Sequence, residues 1–139
     1  MKLFKYRITK KTKGEDDLID ITSDVRCCVK ESGAEDGFGV VFVVGSTASI
    51  LTMEYESGLA KDVREFLGEL IPKDRDYLHN ATWDDDNGYS HLRATLLGQS
   101  FVFPIENNEP VLGRWQQIVL AEFDHRPRDR VVVVHIYKV

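Results

Sequence analysis

The chain has 139 residues, of which 42% are hydrophobic and 29% charged, and its 23 acidic and 18 basic side chains give a net charge of −5. This length predicts one domain, residues 1–139, with a single core, and the acidic balance argues against a nucleic-acid partner because phosphate contacts need a basic face. The start of the chain is charged, and the longest apolar stretch, around Val40 to Val44, is far shorter than the ~20 residues of a membrane span, so we expect neither an export signal nor a membrane partner.

The first third of the chain predicts two strands and a helix. Apolar and polar residues alternate from Lys2 to Thr9 and again from Asp17 to Thr22, which is typical of strands with one buried face. Residues 22–24 then offer oxygen atoms for a helix N-cap, and apolar residues follow at helical spacing until Ser32-Gly33. We therefore expect a helix that follows a cap at residues 22–24 and ends at Ser32-Gly33.

The two cysteines are neighbours, Cys27 and Cys28, and lie within this predicted helix. Adjacent cysteines can close only a strained ring, so a disulfide between them is disfavoured. Their packing as small apolar side chains in a reducing compartment is the expected state. The sequence therefore predicts a cytoplasmic protein.

The middle of the chain predicts two strands followed by a longer helix. Phe38 to Val44 is a β-branched run without alternation, which indicates a strand buried on both faces, and Ala48 to Tyr55 continues as a second strand. From Gly58 to Ile71 the apolar residues recur on a single helical stripe, and Pro72 ends the pattern.

The second half of the chain begins with a long polar connector. Asp74 to Ser90 is polar and contains glycine, and long ordered connectors commonly carry function. A short helix through Leu92 to Leu97 is expected to end at Gly98. The remaining strands are predicted at Ser100 to Ile105, Pro110 to Leu112, Trp115 to Phe123 and Arg130 to Val139. Because strands and helices do not alternate strictly, the fold class is α+β with a mixed or antiparallel sheet.

The connector and the helix after it hold the densest group of polar side chains. His79, Asp85, Asn87, His91 and Arg93 lie within fifteen positions and supply metal ligands, general bases and a cation. The two histidines are twelve positions apart, which is not the spacing of a helical zinc motif. A solvated acidic turn with one histidine at a helix start explains the composition about equally well.

Three further segments are weaker candidates. Glu54 and Glu56 are two positions apart on a predicted strand, where they can share a proton or hold a cation, or simply form an exposed strand face. Gly45-Ser46-Thr47 offers backbone N–H groups to a phosphate but matches no Walker pattern, and a plain turn is the alternative. Arg114 can hold a phosphate in bidentate fashion or form a surface ion pair.

These segments follow one another in a definite order. They are Gly45-Ser46-Thr47-Ala48-Ser49 with Glu54-Tyr55-Glu56, Tyr77-Leu78-His79-Asn80 with Trp83 and Asp85-Asp86-Asn87, Ser90-His91-Leu92-Arg93-Ala94 with Leu96-Leu97-Gly98, Leu112-Gly113-Arg114-Trp115-Gln116-Gln117-Ile118, and Phe123-Asp124 with Arg126-Pro127-Arg128. Over nearly the whole chain, this order and spacing resembles the YjbQ-type family, often labelled secondary thiamine-phosphate synthase.

The resemblance implies a compact α+β domain that assembles as a homotrimer, with its polar residues near a subunit boundary. It also implies a weak activity that joins a hydroxymethylpyrimidine diphosphate to a thiazole phosphate and releases pyrophosphate. His79 and His91 match the family's histidines, Asp85 and Asn87 match its acidic-amide pair, and Gln116 lies in its Gly-x-Trp-Gln segment.

Two positions depart from the family pattern. Gly45 stands where many members have a histidine that would complete a three-imidazole metal site, and Arg114 stands where threonine is common. A divalent metal, zinc or magnesium, would then need His79, His91 and a carboxylate from Glu54, or from Glu56, as its ligands.

The sequence thus supports two hypotheses. In the first, the chain is an enzyme for a small phosphorylated metabolite: His79 and His91 bind a metal or act as acid and base, Asp85 orients a histidine with Asn87 beside it, and Arg93 and Arg114 receive phosphate oxygens. Gly45, Ser46, Thr47 and Gln116 would line the cofactor or phosphate subsite. In the second, the chain is a non-catalytic trimer that binds a metabolite or a protein.

Overall fold

The computed structural model describes all 139 residues as two antiparallel β-sheets with four helices. The strands are β1 (Lys2–Lys11), β2 (Leu18–Asp20), β3 (Asp36–Val44), β4 (Ala48–Met53), β5 (Ser100–Glu106), β6 (Glu109–Pro110), β7 (Gln117–Glu122) and β8 (Asp129–Lys138). The helices are α1 (Thr22–Ser32), α2 (Ser57–Leu70), α3 (Leu78–Trp83) and α4 (Gly88–Leu97). The predicted α+β class is confirmed, and every strand pair is antiparallel.

The main core lies between the two sheets. Five strands pair in the order β1-β8-β3-β5-β6 and three in the order β2-β7-β4, and α1 packs into the same core. Phe103 is fully buried there because Gly39, its partner on β3, has no side chain: a Cβ at Gly39 would lie 2.2 Å from the Phe103 ring. Exclusion of such side chains from water is the main stabilising contribution to the fold.

Helix α1 spans Thr22–Ser32, so the predicted cap residues lie inside its first turn, and it ends as expected at Gly33, in the left-handed conformation with φ of 63°. Its two cysteines are free. Cys28 is buried and Cys27 is exposed. Burial, with the nearby Glu31 carboxylate, raises the pKa of Cys28 to about 11, so this thiol stays protonated and packs as an apolar side chain.

Strand β3 corrects the prediction of burial on both faces. Val41 and Val43 are fully buried, whereas Phe42 and Val44 are 43% and 51% exposed. No helix covers the opposite side of the five-stranded sheet, since α1 packs within the core between the sheets. We call this side the outer sheet face, and its apolar residues are Val40, Phe42, Val44, Val102, Val131 and Val133.

Helix α2 lies within one residue of its predicted bounds at each end, but its apolar stripe is only partly covered. Leu67 is buried, while Phe66 and Leu70 are 60% and 51% exposed. The side chain of Glu56 caps the helix by accepting from the backbone N–H groups at its start. Because β4 ends at Met53, Glu54 and Glu56 do not form the same-face strand pair that the sequence suggested.

The polar connector is shorter than predicted because it contains a helix. α3 occupies Leu78–Trp83, and α4 begins at Gly88, four residues before the first apolar residue of the predicted helix. Between them, Asp84 and Asp86 have φ of 53° and 52°, a left-handed conformation that costs non-glycine residues free energy. None of the four helices has the length and apolar character of a membrane-crossing segment.

Candidate functional site

Helices α3 and α4 bring His79 and His91 together. The centroids of their imidazole rings are 4.3 Å apart and the ring planes are tilted by 41°. The helices approach closely at Gly88, where a Cβ would lie 2.6 Å from the Cβ of Tyr77, and the Gly88 N–H donates to Asn80 Oδ1 at 2.9 Å. The tight turn thus joins two histidines that are twelve positions apart in the sequence.

Asp85 lies near the His79 ring, and Asn87 hydrogen-bonds to Asp85. A carboxylate oxygen of Asp85 lies 3.6 Å from Nδ1 of His79. The hydrogen-bond network orients the Asn87 amide with its nitrogen towards Asp85, donating to the two carboxylate oxygens at 2.9 and 3.1 Å. Nδ1 of His79 is buried and has no hydrogen-bond partner, so a small closure of the loop towards Asp85 would pair it.

His91 is held in its neutral form. Burial, followed by the adjacent His79, lowers the pKa of His91 below 6.5, while Asp85, Asp124 and a hydrogen bond to the Ser46 backbone oppose this shift. At neutral pH the ring therefore keeps one nitrogen free to accept a proton. This is the property that a general base requires.

A cavity of about 440 Å³ opens beside the two rings. Its wall includes both histidines, the cation Arg75, and Tyr77, Leu92 and Thr95. The Arg75 guanidinium stacks on the Tyr77 ring at 5.5 Å from its centroid. This volume suits a small metabolite, with one cation for an anionic group. The sequence interpretation missed Arg75, although it lies inside the polar connector that was singled out.

Arg93, the predicted phosphate ligand, is buried and paired within the chain and does not line the cavity. It is 3% exposed, and its Nη1 pairs with Asp16 at 2.9 Å. Its Nη2 donates to the backbone carbonyl of Ile71 at 2.9 Å. These bonds join α4 to the end of α2, and they leave the guanidinium turned away from the cavity.

Glu54, Arg114 and Gln116 lie at the far end of the three-stranded sheet from the histidines. Ala48 pairs with Glu122 and Met53 with Gln117, so the two ends of β4 are separated by its whole length. At 3.3 Å per residue, the seven steps from Thr47 to Glu54 span roughly 23 Å. Within one chain, these three residues do not join His79 and His91, and the expectation that they meet at a subunit boundary stays a prediction.

Arg114 and Gln116 are instead engaged locally. The Arg114 guanidinium lies over the Trp115 ring, 4.8 Å from its centroid, and both side chains are exposed. Oε1 of Gln116 accepts from the Gly113 N–H at 3.0 Å and closes the turn before β7. These contacts explain the conformation of residues 113–116 without a bound ligand.

The Gly45-Ser46-Thr47 turn does lie beside the histidine site. Ser46 faces His91 through its backbone, as described above, and Thr47 is buried. Oγ1 of Thr47 accepts from Nη2 of Arg130 at 2.6 Å and lies 3.4 Å from Asp124. Among the residues predicted to form a phosphate subsite, those of this turn therefore lie beside the histidines, whereas Gln116 does not.

A buried ionic network under this turn was not predicted. Glu122 is fully buried and pairs with Nε and Nη2 of Arg130; the Nε bond measures 2.7 Å. Beside it, burial alone would raise the pKa of Asp124, but bonding to Arg128 and the backbone of His125 lowers it, so the carboxylate stays ionised. The only sequence signal is two acids at one end of a buried strand and two arginines at the start of the next.

The side chains do not form a metal site within one chain. No group of three or more His, Cys, Asp or Glu side chains converges closely enough to hold an ion. Gly45 supplies no ligand, and Glu54, the proposed replacement, lies at the far end of β4.

Comparison with known proteins assigns the chain to a family. The profile described as "UPF0047 protein YjbQ-like" matches residues 6–139. The chain belongs to the YjbQ-like family. A UPF0047 protein of Archaeoglobus fulgidus is 40% identical over 127 residues, which are 91% of this chain and 96% of the relative.

Solved structures of the YjbQ-like family have the same fold. A YbjQ-like protein of unknown function from Sulfolobus solfataricus P2 is 36% identical, with a TM-score of 0.94 and 99% of both chains covered. A hypothetical protein from Aeropyrum pernix K1 is 32% identical, with a TM-score of 0.91, 98% of this chain and 99% of that one being covered. The predicted family is thus confirmed, and it is a family of unknown function.

Proposed function

We propose that this protein is an enzyme that performs acid–base chemistry on a small phosphorylated metabolite in the cavity between α3 and α4. The observation that carries the proposal is the pair of facing imidazoles, 4.3 Å apart, on the wall of a cavity of about 440 Å³. A neutral imidazole that faces a cavity can accept a proton from a bound ligand. Asp85, held by Asn87, lies 3.6 Å from Nδ1 of His79, and we assign it to orient this ring when a ligand is bound.

The wall of the cavity contains one cation, Arg75, for a negatively charged group of the ligand. The chain carries a net charge of −5, so Arg75 on the cavity wall is a local exception. We assign it to an anionic group of the ligand. Catalysis then consists of holding the ligand against His91 and transferring a proton at the free ring nitrogen.

The specific reaction that the family resemblance suggests is the coupling of two thiamine precursors. In it, the thiazole nitrogen forms a bond to the pyrimidine methylene carbon, and the bond from that carbon to the diphosphate oxygen breaks, so that the electron pair leaves with pyrophosphate. Neutral His91 would take a proton from the amino group of the pyrimidine as the diphosphate leaves, and would return it to that nitrogen once the thiazole nitrogen has bonded to the methylene carbon. No step is assigned to a metal, since the proposed ligands do not converge in the chain.

The test is turnover of the two precursors by the purified protein, followed as a function of pH between about 5 and about 8. We expect product formation with kcat/KM falling on the acid side, because His91 must be neutral to act as a base. The midpoint of that fall should lie below 6.5, since burial and His79 lower the pKa of His91. Absence of product, or a rate independent of pH across this range, would contradict the proposal.

A non-catalytic metabolite-binding protein is the second candidate. It is favoured by the separation of Glu54 and Arg114 from the histidines, which leaves the cavity with few polar groups for chemistry. A thermal-shift screen separates the two: stabilisation by a metabolite that is recovered unchanged supports binding alone. Recovery of a converted product supports the enzyme.

We also propose that the chain forms a homotrimer in the cytoplasm, in keeping with the family resemblance and with its two free cysteines. The outer sheet face supports self-association because it presents a continuous apolar patch that the chain itself does not cover. One edge strand of this face, β1, carries Lys5 and Arg7, and Glu106 lies on β5 beside the opposite edge strand, β6. In a closed ring of three sheets, the basic edge of each copy would meet the acidic edge of the next.

Placing a charge on the outer sheet face should dissociate the trimer. Val102 is 59% exposed at the centre of β5, and we expect Val102→Glu to give a monomer that stays folded. Glu31→Gln on the exposed side of α1 serves as the control and should leave the assembly intact. Sedimentation at several protein concentrations measures the result, and an unchanged trimer in the Val102 variant would place the interface elsewhere.

A further inference from the structure

Gly45 keeps a space open above a buried arginine. Its φ is 151°, a conformation that residues with a side chain rarely adopt. A Cβ built on Gly45 would lie 2.6 Å from Nη1 of Arg130. The glycine therefore leaves one edge of the guanidinium uncovered at the surface of the turn.

Arg130 is otherwise buried and fixed. The residue is 7% exposed, its Nε donates to Glu122 at 2.7 Å, and its Nη2 donates to Glu122 and to Thr47. Nη1 makes no hydrogen bond within the chain. The two unpartnered buried side-chain atoms are His79 Nδ1 and Ser90 Oγ, so Nη1 is reached by solvent. A guanidinium held on two nitrogens, with its third directed at solvent, is a preorganised anion donor.

The uncovered nitrogen lies next to the histidine site. The residue after Gly45, Ser46, is the one whose backbone receives a hydrogen bond from His91. Thr47, the next residue, contacts both Arg130 and Asp124. The surrounding charges nearly cancel, because Glu122 balances Arg130 and Asp124 balances Arg128. A lone anion should therefore bind weakly, while a ligand also held in the cavity would bind more tightly.

We propose that Nη1 of Arg130, with the Gly45–Ser46 turn, forms an oxyanion subsite that receives a phosphoryl or carboxylate group of the ligand. The subsite rests on the proposed function only in that its anion belongs to the same ligand that lies against His91. It assigns a binding role to Arg130, which the sequence interpretation left unassigned. Gly45 leaves Nη1 accessible to the ligand because it has no side chain.

The test is a titration of the isotopically labelled protein with inorganic phosphate and, in parallel, with acetate. We expect a saturable shift of the Arg130 Nε–H signal in the unaltered protein, and a larger response to whichever oxyanion the subsite prefers. If Arg130 does not respond while the signals of Lys73 and Arg75 do, the anion binds in the neighbouring polar cavity and the proposal is wrong.

Gly45→Ala should weaken phosphate binding about tenfold or more, since its Cβ obstructs the one free donor. Gly33→Ala is the matched control: it also has a positive φ, of 63°, but nothing lies within 4 Å of the added Cβ. It places the same substitution at another glycine with positive φ but without obstruction, and it should bind phosphate as the unaltered protein does. Equal affinity in the two variants would overturn the proposal.

The phosphate titration tests the Arg130 subsite independently of the role of His91 in catalysis. A His91→Gln variant should retain the phosphate response of Arg130 while losing turnover. Loss of turnover with phosphate binding intact supports both proposals. A phosphate response in a protein without any turnover leaves the subsite standing and rejects the enzyme.

Discussion

Replacing His91 by Ala is expected to lower kcat for the conversion of a bound ligand by about 10²- to 10⁴-fold, the usual contribution of a general base. The ring is neutral at physiological pH and lines the cavity, so the variant lacks the base that the proposal assigns to this position. The measurement is steady-state turnover, with folding checked by circular dichroism.

Added imidazole gives this prediction a specific readout. The cavity beside His91 can admit a free imidazole once the side chain is removed, so rescue of turnover that rises with imidazole concentration is expected. Asp62→Asn, an exposed change on α2, is the surface control and should leave turnover unchanged. Full activity in His91→Ala would show that the histidine is structural.

Replacing Glu122 by Ala is expected to lower the free energy of unfolding by about 3–5 kcal/mol, because it leaves the Arg130 charge buried without its partner. Glu122 also accepts from the Thr12 hydroxyl at 2.8 Å and from the Asp124 N–H at 3.0 Å. Urea denaturation of the two proteins at neutral pH measures the difference.

Arg26→Ala is the matched control for this prediction. It breaks the Arg26–Glu109 pair, whose N–O distance is 2.6 Å but whose side chains are each 42% exposed. Exposed pairs contribute less than about 1 kcal/mol, so the loss should be small. The double variant Glu122→Met, Arg130→Met removes both buried charges, and should be less destabilised than Glu122→Ala. Similar losses in Glu122→Ala and Arg26→Ala would contradict the burial argument.

The sequence predicted the elements whose ends have a local chemical cause. The glycine at position 33 fixes the end of α1, and Gly98 ends α4 as expected. The burial of β3 was overestimated because β-branched residues favour a strand whether or not its second face is covered. Phe42 and Val44 therefore carried no sequence signal for the outer sheet face.

Within the site, the sequence predicted residue types better than residue roles. His79, Asp85, Asn87 and His91 do come together, because one helix-turn-helix segment carries them all. Arg93 looked equally suited to a phosphate, but its partner Asp16 is 77 positions away, and such a pairing is visible only in the fold.

The same limit applies to Arg130. Its partners Glu122 and Thr47 lie on two other strand ends, and Gly45 shows its role only through the space above it. Long-range pairing of this kind leaves no pattern in a single sequence.

The left-handed backbone at Asp84 and Asp86 lowers the stability of the domain but restricts the direction of the Asp85 side chain. Each residue holds a conformation that costs about 1–2 kcal/mol relative to glycine, and the two flank Asp85 in the chain. Glycine at either position would relax the turn and raise the stability of the domain, yet it would also widen the range of directions in which Asp85 points. Part of the free energy of folding is therefore lost in a turn that holds the Asp85 carboxylate near the His79 imidazole.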